Sequence, residues 1–248
     1  MKQYKQDPIT EAICEFHFEP SSTWDLTVPG LIYEKLQSAF PEKRQCKLVN
    51  QVIAPADAGS VPQIEIVDRI QFYNAAKTAL VQTNQHFLSI NHLRPYPTWT
   101  KFLPIIKEGL DAYCCAAQPL SITKVGLRYL NRIEIPGPKA ALPEYFNIYP
   151  GMADTVLPHD FSSCIVGVRS QVPELGGEIK IQLTSAGGAN DLVAMMLDLE
   201  YAIGVPGGMQ VEQALTWLAQ AHKKLVETFE CSVTEKTRGS FGKPNRQH

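Results

Sequence analysis

The stretch Ser121–Ile135, SITKVGLRYLNRIEI, decides how the rest of this sequence reads. Its residues alternate: Val125, Leu127, Tyr129, Ile133 and Ile135 fall on one side, and Lys124, Arg128, Arg132 and Glu134 on the other. A period of two over that length predicts a long strand with one face on a core and one polar face. Asn131 breaks the pattern, because alternation puts its amide among the apolar residues. A buried amide needs partners, so Asn131 is expected to pin a backbone turn or bulge.

The same alternation appears upstream in Ile9–Phe18, ITEAICEFHF. Ala12, Cys14, Phe16 and Phe18 share one face with Thr10, while Glu11, Glu15 and His17 share the other with Ile13. A first helix follows, with Pro29 near its start, Leu31, Ile32, Lys35, Leu36 and Phe40 at helical spacing, and Pro41 ending the run. Strand-like runs at Cys46–Ile53, Gln63–Tyr73, Thr78–Gln82 and Gln85–Leu93 read as an antiparallel meander. After Arg94-Pro95-Tyr96-Pro97, Thr98 is placed to cap a helix whose apolar positions are Trp99, Phe102, Leu103, Ile106, Leu110, Tyr113, Cys114 and Ala117.

Downstream of the central strand, the proline-rich stretch 136–160 admits only a short helix near Leu142–Ile148 and is a linker or lid candidate. Strands are expected at Cys164–Val172, Glu178–Thr184 and Leu192–Ala202, with Gly176-Gly177 and Gly187-Gly188 as turns. Gly204-Val205-Pro206-Gly207-Gly208 reads as a turn into the last helix, with backbone amides that could meet an anion at the helix N-terminus. That helix spans about Met209–Glu230, with Val211, Leu215, Leu218, His222, Leu225 and Phe229 on one side. The tail from Thr234 is expected to fray. The fold class is therefore α+β, with antiparallel sheets packed on long helices. The order of elements suggests two similar strand–helix–meander–helix halves, residues 1–119 and 120–248, tightly joined or forming one domain. The alternating rhythm of a doubly wound nucleotide fold is absent.

Bulk properties narrow the function little. The 248 residues are 44% apolar and 19% charged, an ordinary globular composition, and the formal charge of −2 gives no overall attraction to nucleic acid or an anionic membrane. Neither a signal-peptide core nor a membrane-spanning apolar run is present, so a cytoplasmic location is expected. Cys14, Cys46, Cys114, Cys115, Cys164 and Cys231 form no CxxC pair or Cys/His spacing, which argues against a zinc ribbon, a thioredoxin-type site or disulfides. The chain contains no nucleophile elbow, HExxH helix, Walker A loop or dinucleotide fingerprint. No cofactor is implied.

Three segments carry a likeness: Asp7–Phe16 (DPITEAICEF), Val125–Ile133 (VGLRYLNRI), and Leu225–Glu230 (LVETFE) running into Ser232-Val233-Thr234. Together they resemble a bacterial family described as sporadically distributed and functionally uncharacterised, and the likeness in length and motif order covers essentially the whole chain. The resemblance supplies no catalytic residues. Its patchy distribution implies an accessory system of the defence, restriction or toxin–antitoxin type.

The candidate site comes from the two long strands. If they are neighbours, Glu11, Glu15 and His17 share a surface or barrel interior with Arg128 and Arg132, which suits a phosphorylated or carboxylated ligand or a charged partner. The competing reading is an exposed or interdomain ladder of salt bridges of little energetic weight. Metal binding is not expected, because Glu11 and His17 stand about 20 Å apart on a strand rising about 3.3 Å per residue. His86 and His92 read as rim or packed histidines, and His222 as a hydrogen-bonded core or interface histidine. Lys236, Arg238, Lys243 and Arg246 make the tail basic, a possible contact for nucleic acid. Two functions follow. The first is a non-enzymatic binding or regulatory module acting with a protein partner, or as a homo-oligomer. The alternative is an enzyme or binding protein for an anionic or nucleotide-like small molecule, with Glu11, Glu15, Arg128 and Arg132 lining an interior.

Overall fold

A computed structural model describes residues 4–21, 24–52, 63–137, 139–151, 163–188 and 192–242, with side chains omitted at 48–52 and 63–67. Nine strands form one antiparallel sheet: β1 (Ile9–Glu19), β2 (Glu42–Val52), β3 (Gln63–Tyr73), β4 (Ala79–Asn84), β5 (Phe87–Leu93), β6 (Ser121–Pro136), β7 (Ile165–Gln171), β8 (Glu178–Ala186) and β9 (Leu192–Met209). Their spatial order is β2-β3-β4-β5-β1-β6-β9-β8-β7, so β1 and β6 are antiparallel neighbours near the middle. The sheet is open, with β2 and β7 at its edges, and the barrel interior allowed by the alternation does not form.

Cross-strand register explains how one sheet makes two unlike faces. Phe72, Val81, Ile90, Cys14, Leu127, Tyr201 and Ile179 stand in one row across seven strands. All are buried. One residue along, Gln71, Gln82, Ser89, Glu15, Gly126, Ala202 and Glu178 form a polar row pointing the other way, as period-two alternation requires.

Helices α1 (Val28–Leu36), α2 (Trp99–Ala117) and α4 (Val211–Ser232) cover the apolar face. Tyr33 of α1 meets Phe72, Trp217 of α4 meets Tyr201, and Gly109 lets α2 approach Ile90 and Val81 closely. Stripes of Phe102, Ile106, Leu110 and Tyr113 on α2, and of Ala214, Leu218, Leu225 and Phe229 on α4, supply the core. No described helix packs on the other face, and none is long and apolar enough to cross a membrane.

Several local expectations are revised. Thr98 precedes α2 at φ 95° and does not cap it; its hydroxyl pairs with Thr100 instead. In β1 the core-facing residue beyond Ala12 is Ile9, not Thr10. The β1–β6 register slips at Thr10, which becomes a bulge and bonds its hydroxyl to the Leu130 carbonyl. Asn131 faces Ile9 across that slip, fully buried, and donates to the carbonyls of Tyr129 on its own strand and Leu197 on β9; neither bond reaches the bulged strand β1.

The Gly204–Gly208 segment is part of β9 and not a helix-entering loop, and α4 begins instead with a reciprocal capping box between Gln210 and Gln213. The tail does not fray through Gly242: α5 (Glu235–Ser240) is capped by Thr234, and Phe241 packs on Tyr4 and Phe229. In the proline-rich stretch only α3 (Leu142–Tyr145) is helical, and 152–160 lie outside the described residues.

Candidate functional site

β1 and β6 do bring Glu11, Glu15, Arg128 and Arg132 onto one face, the polar face without helices. Three of the four are already engaged. Glu11 accepts from Asn91 Nδ2 at 2.7 Å, and this bond ends a relay of one-way donors across four strands. The Tyr73 hydroxyl donates to Gln71, Gln71 Nε2 to Gln82 at 2.7 Å, and Gln82 Nε2 to Asn91 Oδ1 at 3.1 Å. Ser89 donates to the same oxygen at 2.7 Å. The relay is self-consistent because each amide has one donor and one acceptor end and the terminal carboxylate only accepts.

Arg128 makes a two-pronged contact with Asp198 on β9, both bonds 2.7 Å, and Lys180 of β8 stands 3.7 Å from the same carboxylate. That contact holds the Arg128 guanidinium further up its already high pKa range, burial opposing. Arg132 bonds Glu134 at 3.0 Å and the Gly187 carbonyl at 2.8 Å. None of these bonds joins β1 to β6: Arg128 is paired across to β9, and Arg132 within its own strand and to the turn after β8.

Glu15 differs. It is half-buried and has no hydrogen-bonding or ion-paired partner among the described residues. Burial raises its pKa and Glu200 reinforces the rise, while Lys124, Arg69 and Arg128 pull it back. Its cross-strand neighbours are Ser89 and Gly126, followed by Ala202, so the carboxylate rises from a floor of small residues. A methyl at Gly126 would meet the Ala202 side chain at 3.6 Å and the Tyr201 carbonyl oxygen at 3.9 Å, both ordinary contacts. Nothing in the packing requires glycine there.

Next to Glu15 lie His17, which alternation already grouped with it, and two residues outside the candidate set, Arg69 and Lys124. Arg69 on β3 leans across β4 to stack over Phe87, 3.9 Å from the ring centre. His17 meets the same ring edge-on at 5.2 Å, and Lys124 is its cross-strand neighbour on β6. Burial, with Lys124 and Arg69 adding, pushes the His17 pKa down to about 4, so the ring is neutral near pH 7. Burial also lowers Arg69, with Glu15 opposing. Alternation already put His17 and Lys124 on this face, but Arg69 lies in a run with no resemblance motif, and only the sheet order carries it to β1.

The remaining candidates are structural. His92 is buried against its own strand, and His222 stacks on Trp99 with Nδ1 2.9 Å from the Tyr129 hydroxyl. Lys236 pairs with Glu144, and Arg238 bonds Glu235 and the Val233 carbonyl, so these two tail cations are occupied; Lys243 and Arg246 lie outside the described residues. No three His, Cys, Asp or Glu side chains among the described residues converge as metal ligands would. No protein-family model matches this sequence, and comparison with curated proteins finds no match.

Proposed function

We propose that this chain is a non-enzymatic binding or regulatory module that works in the cytoplasm by docking a protein partner on the open face of its sheet. The carrying observation is the contrast within that face. Arg128, Arg132 and Glu11 are satisfied internally, whereas Glu15, Glu200, Arg69 and Lys124 have no hydrogen-bonded or ion-paired partner among the described residues. Half-buried charges without partners are costly in isolation and become favourable when a second surface supplies complementary groups. The resemblance to a sporadically distributed bacterial family supports an accessory role of the defence or toxin–antitoxin type.

We also read the chain as two related halves, 1–119 and 120–248. Support comes from the order of elements and from positions mirrored about the β1–β6 pair, with β5 and β9 flanking it and β4 and β8 next. Among the described residues, the second half has one meander strand fewer and the four-residue α3 where the first half has α1.

The test is native mass spectrometry of the chain isolated from the cells that make it. A hetero-assembly is expected that is lost on Glu200→Arg, at the centre of the open face, and kept on Lys224→Glu, on the helix side. The free chain mass throughout, or equal loss with both substitutions, refutes the docking face.

A further inference from the structure

One row across the open face, a step along from Glu15, carries Arg69 on β3, Phe87 on β5, His17 on β1 and Lys124 on β6. The other basic residues of this face each have an acid within 4.0 Å: Arg44 with Glu42, Arg128 and Lys180 with Asp198, Arg132 with Glu134, and Arg169 with Glu178. Arg69 and Lys124 have none among the described residues, and Arg69 Nε is buried without any hydrogen-bond partner. The guanidinium is nevertheless held over the Phe87 ring, 3.9 Å from its centre, a fork with its donors unspent.

The sheet is deformed around this row. The β1–β6 register slips just beyond His17 and Lys124, and on the other side Val205, Pro206, Gly207 and Gly208 of β9 stand opposite Thr123 alone. Gly208 makes that excursion possible: its φ is +72°, and a Cβ there would lie 2.4 Å from Ser121 Oγ. Bulges of this kind re-aim the side chains beside them. Here they flank Lys124 on both sides.

We propose that Arg69, His17 and Lys124 form a seat for the phosphate group of a small ligand. A phosphate offers several acceptor oxygens at once, matching an arginine fork, an ammonium and an imidazole N–H. Glu15, two residues along β1, accepts from a protonated phosphate oxygen or a ligand hydroxyl. The groups facing His17 are Arg69 from β3, Phe87 from β5, Lys124 from β6, and Glu15 and Glu19 along its own strand, Glu19 being bonded to Ser121. An arriving phosphate offsets the two cations and draws a proton onto His17.

The test uses imidazole NMR of the full chain at constant ionic strength, with His17 assigned by its loss in His17→Gln. Titration with inorganic phosphate is expected to shift the His17 signals saturably and to raise its apparent pKa by about one unit or more. Arg69→Met and Lys124→Met should each weaken phosphate binding by about tenfold or more, while Arg169→Met binds like the parent. Tighter binding of ribose 5-phosphate than of phosphate makes the source a phosphorylated metabolite; equal affinity makes it the free ion. A His17 response no different from that to chloride overturns the seat, and needs no variant to be read. The titration is done on the isolated chain, so its failure leaves the partner-docking test untouched.

Discussion

Below about pH 6.5 the chain should lose stability through His222, and Phe at this position should remove most of that loss. His222 lies flat on Trp99, centroids 4.3 Å apart and planes 6° apart, so α4 and the start of α2 meet through this pair. The buried Tyr129 hydroxyl, whose pKa burial drives well above its usual value, shares a hydrogen bond with His222 Nδ1 at 2.9 Å. Protonating the imidazole makes both ring nitrogens donors and places a charge in a largely buried setting. Burial accordingly pushes the His222 pKa down to about 4.

An unfolded histidine titrates near 6.5, so as pH falls the unfolded chain binds this proton before the folded one does. The contribution of His222 is therefore complete above about pH 6.5 and is lost as pH falls toward 4. At about 1.36 kcal/mol per unit the full shift corresponds to roughly 3 kcal/mol, and solvent screening of the partly exposed ring reduces it to about 2 kcal/mol. Urea unfolding of the parent and His222→Phe at pH 7.5 and 4.5 measures it. The parent should lose about 2 kcal/mol more than the variant between the two values. His17 titrates in both proteins and cancels from the difference. Parallel pH profiles would refute the reasoning.

Asp198→Ala should cost about 2 kcal/mol in chemical denaturation, because it strands Arg128 and Lys180; the Arg128 side chain is 38% exposed, which keeps the cost below that of a fully buried pair. Adding Arg128→Met should recover at least half of that loss, and a deficit under about 0.5 kcal/mol in the single variant would sink the assignment. Gly177→Ala should destabilise by about 2 kcal/mol or more, since φ is +85° and a Cβ would stand 2.3 Å from the Ala202 carbonyl oxygen. Gly187→Ala, with nothing within 4 Å, should stay within about 0.5 kcal/mol by the same chemical denaturation, and equal effects at the two glycines would contradict the steric account.

Side-chain direction along a strand is a local property, and what depended on it was readable from the sequence alone. Alternation in Ile9–Phe18 and Ser121–Ile135 was enough to group Glu11, Glu15 and His17 on one strand and Arg128 and Arg132 on the other, and to single out Asn131 as a misplaced amide. Helical spacing likewise identified the core stripes of α2 and α4. What each charge meets is not local. Asp198 lies 70 residues from Arg128, and Asn91 lies 80 from Glu11, and no spacing rule pairs them. Arg69 comes to the ring that His17 touches only because the meander leaves just β4 and β5 between β3 and β1. The Thr10 bulge, which exchanged Thr10 for Ile9 in the core, also arose from pairing, since a register slip costs nothing visible in either strand by itself. The sequence by itself determined which side chains share a face, because that follows from backbone period. The tertiary structure alone decided which of those charges are neutralised and which stand unpaired among the described residues, because pairing across strands is set by the burial of the whole apolar face.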